Sequence, residues 1–148
     1  IIGEHGDSEI PVWSLANVAG VGVEQYCLGC NRQCDGHVKE EIFDRVRNAA
    51  YEIIEKKGAT YYAIALGLNR IIESIIRDEN SVLTVSTLLQ DYHGIDDVCL
   101  GVPAIVGKRG VSRIIEVSLS DEELRGLQRS ASVIKEVLGD LNLVGATV

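Results

Sequence analysis

The chain has 148 residues, a formal net charge of -8, 46% hydrophobic residues and 24% charged ones. That is enough for one domain with a real core, and the acidic balance argues against nucleic acid or an anionic membrane surface, which both require clustered Lys and Arg. No apolar run approaches the roughly 18–20 residues of a membrane span and no basic-then-apolar leader is read, so the expectation is a cytoplasmic protein with no membrane partner.

The first eleven residues, Ile1-Ile2-Gly3-Glu4-His5-Gly6-Asp7-Ser8-Glu9-Ile10-Pro11, run an apolar pair into a glycine and then hold a histidine between Gly3 and Gly6. Glycine lets the backbone turn and a ligand approach. Histidine is the side chain whose unperturbed pKa, about 6.5, lies nearest neutral pH. Residues 10 to 26 read as extended structure, with a bend or hairpin at Gly20 and Gly22. Residues 27 to 37 read as a polar loop. A helix over about 38–57 carries Ile42, Val46, Ala49 or Ala50 and Ile53 on one face and charge on the other. Lys56 and Lys57 suit its last turn, and Gly58 is a natural stop.

A second helix, from about Thr60 to Arg77, is apolar almost all round, which suits a central element or one shared with a neighbouring subunit. Thr60 is its expected N-cap. Three strands follow, over 82–90, 98–107 and 111–117, with Lys108-Arg109-Gly110 as the turn of a hairpin. Cys99 reads as a small core residue within the second of them. The last helix opens on Ser120-x-x-Glu123, a capping box. Leu124, Leu127, Ala131, Ile134 and Leu138 form its stripe, and Gly139 its stop. The element order predicts an α+β fold, an antiparallel sheet with long helices packed on one face.

Gly3-Glu4-His5-Gly6-Asp7-Ser8, continued by Glu9-Ile10-Pro11-Val12-Trp13-Ser14, closely resembles the active-site histidine motif of the NAD-dependent L-lactate dehydrogenase family. The related malate dehydrogenases usually carry another residue where Glu4 stands, so the motif leans toward lactate. The resemblance runs over the whole chain but covers only the family's C-terminal, substrate-binding half. It implies a lactate dehydrogenase C-terminal domain-like fold over 1–148, with the NAD-binding Rossmann domain absent from the chain. Two further observations agree. The chain contains no methionine and begins inside an apolar run, as expected of a piece of a longer protein. No strand is followed by Gly-x-Gly-x-x-Gly; the nearest approach, Gly20-Val21-Gly22, has Gln25 where the third glycine should fall, so a complete NAD site is not expected here.

The resemblance implies that His5 gives and takes the proton as (S)-lactate and pyruvate interconvert. It implies that Thr60 lines the substrate pocket and that Ile64 packs the nicotinamide ring of NAD. The aspartate and arginine that usually assist lie on the segment before the motif. The family is usually tetrameric, so a homo-oligomer is expected. A malate or other 2-hydroxy acid dehydrogenase is the alternative enzyme. A different class is a metal-binding or structural module. Cys27, Cys30, Cys34 and His37 supply three thiolates and an imidazole, enough for tetrahedral zinc, against the plainer reading of reduced thiols in a surface loop. That plainer reading is preferred, because zinc knuckles usually gather their ligands from two separated pairs and the lactate dehydrogenase pattern uses no metal; no metal is expected.

Overall fold

A computed structural model describes residues 1–29 and 36–141. The sheet is three-stranded and antiparallel, β3 (Ser81–Leu89), β4 (Val98–Gly107) and β5 (Gly110–Ile114), in that order. β3 pairs with β4 without interruption from Ser81–Val106 to Leu89–Val98. Alternation decides the faces: Val98, Leu100, Val102, Ala104 and Val106 of β4 are buried, and Cys99 between them is exposed. The core reading of Cys99 is therefore corrected. It occupies the odd phase of a strand whose even phase supplies the core.

α4 (Asp121–Asp140) lies against the inward face and contributes Leu127 and Ala131 to the core. The expected capping box is present. Ser120 Oγ accepts from the Glu123 amide at 3.3 Å, and Glu123 Oε2 accepts from the Ser120 amide at 2.8 Å. The helix runs one residue past Gly139.

Before the sheet come a 3-10 turn (Trp13–Leu15), a small hairpin of β1 (Asn17–Val18) and β2 (Val21–Gly22), and α1 (Val23–Gly29). The hairpin was expected; α1 was not, since its seven residues carry no long apolar period. The long helices are α2 (Gly36–Lys57) and α3 (Tyr62–Ile76). Two expectations fail here. Thr60 is not the N-cap of α3. That position belongs to Tyr61, which makes no side-chain cap bond, because the helical ladder starts with the Ala65 amide on the Tyr61 carbonyl at 2.9 Å. The apolar stripe of α2 is not buried either: Ile42 and Val46 are exposed, while Lys39, Phe43 and Arg47 are half-buried against the body of the domain. α3 is not central. It touches β4 near Val106, where the buried Ser74 hydroxyl donates to the Val106 carbonyl at 2.8 Å, and leaves Leu66 72% and Ile76 77% exposed. Both helices present apolar surface for which this chain, among its described residues, supplies no cover.

Candidate active site

The histidine sits on a loop closed at its neck. The Ile2 and Ile10 amides each donate to the other's carbonyl at 2.9 Å, and both side chains are in the core cluster beside Leu100 and Leu127. Residues 3–9 thus leave and re-enter the hydrophobic core through one doubly bonded gate. Just past it, Gly3 exchanges both backbone hydrogen bonds with Gly101 of β4, each at 2.8 Å. β5 covers that edge of β4 only over Ala104–Gly107. Gly3 takes the next available place on the same edge, so the loop is in effect stitched to the sheet.

Gly3 is a glycine for a physical reason. Its φ is +99°, and a Cβ would lie 2.6 Å from Ile10 Cδ1 and 2.8 Å from Ser130 Oγ. Beyond it, the Glu4 amide donates to Ser130 Oγ of α4 at 2.7 Å. The Glu4 carboxylate accepts from the Ser8 amide at 3.3 Å and from the Ser8 hydroxyl, which itself lies 3.2 Å from Ser130 Oγ. Asp7 accepts from the Tyr51 hydroxyl of α2 at 3.0 Å. That bond, and then the Asp7 charge, push the Tyr51 phenol above its ordinary value. Downstream, Glu123 accepts from the Ser14 amide at 3.0 Å and the Ser14 hydroxyl at 2.5 Å. Burial pushes the Glu123 carboxyl up, but the bonds from Ser14 and Ser120 outweigh it and hold it below its ordinary value.

His5 itself is exposed and, among the described residues, has no side-chain hydrogen bond. It lines a cleft of about 890 Å³ with Glu4 and Glu9, Ile64 and Leu68 of α3, and Thr84 and Ser86 of β3. Apart from these polar groups the walls are mainly apolar, as ligand sites usually are. The cleft therefore joins two of the three expected site residues, His5 and Ile64. Thr60 lines a separate hollow of about 360 Å³ with Tyr61, Tyr62 and Lys57. Of the rival cysteine loop, Cys30 and Cys34 lie outside the described residues. Cys27 is half-buried and His37 exposed.

Ser130 belongs to no motif that the sequence announces. A signal existed: position 130 is three residues after Leu127 and four before Ile134, so a hydroxyl falls on the apolar face of α4 at helical spacing.

These elements define a class, an α+β domain that offers one imidazole, on a loop stitched to a sheet edge, to a large apolar cleft. Comparisons with known proteins are specific. Residues 1–142 match the family model described as lactate/malate dehydrogenase, alpha/beta C-terminal domain. L-lactate dehydrogenase 1 of Clostridium acetobutylicum is 58% identical over 141 residues, which are 95% of this chain and 45% of that protein. Among solved structures, the minor L-lactate dehydrogenase from Enterococcus mundtii, in its ligands-bound form, matches with a TM-score of 0.90 at 38% identity, over 99% of this chain and 46% of that one. A lactate dehydrogenase enzyme from a Medee basin deep-sea metagenome library matches at 0.91 and 37%, over 95% of this chain and 45% of its own. The chain belongs to the lactate/malate dehydrogenase family, as its C-terminal domain. It spans about half the length of the relatives it matches.

Proposed function

We propose that residues 1–148 form the substrate-binding domain of an NAD-dependent L-lactate dehydrogenase, with His5 as proton donor and acceptor. The observation that carries the reading is the single cleft shared by His5, on its pinned loop, and Ile64 of α3. Reducing a 2-oxo acid needs a hydride on the carbonyl carbon and a proton on its oxygen. NADH, when bound, supplies the hydride.

The residues present suit part of that cofactor. Ile64, 52% exposed within the cleft, offers an apolar face of the kind a nicotinamide ring takes. No glycine-rich turn for a pyrophosphate occurs in the sequence, so the rest of the cofactor is assigned to the other half of the protein. His5 in its imidazolium form polarises the carbonyl and passes its proton to the oxygen. In lactate oxidation the neutral ring takes that proton back. Nothing within the described residues competes for the ring through a hydrogen bond, so both nitrogens are available to substrate and to a partner outside this chain. Thr60, four residues before Ile64 and outside α3, is the proposed substrate contact on the strength of the family resemblance alone, since it lines a hollow separate from the His5 cleft. The exposed apolar faces of α2 and α3 support an oligomer of the whole enzyme, with the small acid as its ligand. Among the described residues no helix is long and apolar enough to cross a membrane, which is consistent with a cytoplasmic enzyme.

The test is pyruvate-dependent NADH oxidation by the full-length enzyme carrying this domain, with oxaloacetate as the comparison. The expected result is a preference for pyruvate, a loss of about 10²- to 10⁴-fold in turnover on His5→Asn, and no turnover by the isolated domain. A preference for oxaloacetate would move the assignment to malate. Normal turnover by His5→Asn would remove the histidine from the chemistry.

A further inference from the structure

We infer that Ser130 is a positioning residue for His5. Its buried hydroxyl closes a hydrogen-bonded ring that fixes the amide directly before the histidine, and so sets where the imidazole enters the cleft. The inference rests on the reading of His5 as the proton carrier.

Ser130 is 0% exposed and lies in the middle of α4 on the face that carries Leu127 and Ala131. Serine has no advantage in a helix interior, and a buried hydroxyl must find partners. Its partners are all on the histidine loop. The Glu4 amide is 2.7 Å from Ser130 Oγ and the Ser8 hydroxyl oxygen is 3.2 Å away. The Ser8 hydroxyl also meets the Glu4 carboxylate. Ser8 has one proton and cannot give it to both neighbours. A carboxylate can only accept, so the proton goes there. Ser130 then gives its own proton to Ser8 and accepts from the Glu4 amide. Every group is satisfied in this one circuit: Glu4 N–H to Ser130, Ser130 to Ser8, Ser8 to the Glu4 carboxylate. Such a closed chain polarises each of its links in the same sense.

The ring matters because of where it falls. Gly3 is bonded on both sides to Gly101, and Glu4 follows it. The Glu4 amide is therefore the last backbone group held by the rest of the fold before His5. The His5 ring has no anchor of its own among the described residues, so its position is inherited from that amide. Gly3 carries the complementary feature: the space a Cβ would need lies 2.8 Å from Ser130 Oγ.

The experiment is steady-state kinetics with pyruvate and NADH on the full-length enzyme, with four variants. Ser130→Ala opens the ring at α4. Ser8→Ala opens it from the loop and leaves α4 intact. Ser74→Ala removes an equally buried helix hydroxyl that bonds Val106 instead. His5→Asn tests the underlying reading. The expected result is that Ser130→Ala lowers kcat about 10- to 100-fold, as a small misplacement of a reacting group does. KM for pyruvate should stay within about twofold, because the loss is confined to the transition state. Ser8→Ala should act in the same sense by a smaller factor, and Ser74→Ala should leave kcat within about threefold. If His5→Asn is inactive but Ser130→Ala and Ser8→Ala match Ser74→Ala, the positioning role is refuted and the histidine reading stands. A raised KM at unchanged kcat in Ser130→Ala refutes it as well. If His5→Asn turns over normally, both fall together.

Discussion

Gly3→Ala tests the architecture of the loop independently of any activity. Two costs add. A non-glycine residue at φ +99° carries a backbone penalty of about 1–3 kcal/mol. The new methyl would also sit 2.6 Å from Ile10 Cδ1 and 2.8 Å from Ser130 Oγ. Both neighbours are buried, so neither can swing into solvent, and forcing a carbon into such a site costs about 1–3 kcal/mol. The expected destabilisation is about 2–6 kcal/mol, a large share of a typical domain's total of roughly 5–15. The assay is equilibrium urea unfolding followed by the fluorescence of the chain's one tryptophan, Trp13, three residues after the Ile10 that closes the loop. With a slope of about 2 kcal/mol/M, the middle of the usual urea range, the midpoint should fall by about 1–3 M. The steric part can be isolated. In Gly3→Ala with Ser130→Ala the oxygen collision is gone, so the double variant should cost less than the sum of the singles. A midpoint within about 0.3 M of the parent would refute the claim that the loop is built tightly around this position.

Two further outcomes follow from the carboxylates that tie the histidine loop and the segment after it to the helices. The Glu123 carboxyl is depressed in the folded state, so its stabilisation is complete above the ordinary carboxylate range and is lost as pH falls through the depressed value. Glu123→Gln should therefore reduce stability at neutral pH and flatten its acid dependence. A variant whose acid limb runs parallel to the parent's would sink that assignment. Tyr51, 57% exposed, is raised first by its hydrogen bond to Asp7 and then by that carboxylate's charge. Asp7→Asn should bring the phenol back toward its ordinary range, read by absorbance titration near 295 nm. An unchanged titration would mean that the contact between α2 and the histidine loop does not persist in solution.

What could be read in advance divides along a physical line. The sheet, the hairpin at Lys108-Arg109-Gly110 and the capping box of Ser120 with Glu123 all rest on interactions within a few residues or on a two-residue alternation, and these were legible. Cys99 was misjudged because strand phase depends on the partner strand, which a single residue does not announce. Thr60 was assigned a cap because threonine suits that job chemically, yet the ladder begins one residue later. The stripe of α2 has a correct helical period but no cover among the described residues of the chain. Periodicity gives a face, and not what lies against it. The histidine was visible through its motif. What holds it was not, because Ser130 and Glu4 are separated by 126 residues and meet only after α4 has docked.

The pairing of Gly3 with Gly101 has a second consequence, for solubility. A central strand whose neighbour stops short leaves unpaired amides and carbonyls, and such a row is a template for a strand from another molecule. Here the loop that carries the imidazole also plugs that gap. Any event that peels the loop from β4 would both displace the histidine and expose a sticky edge. In the full-length enzyme, inactivation and self-association should then appear together, as one transition with one midpoint, and hydrogen exchange at the Gly3 and Gly101 amides should report the approach to it.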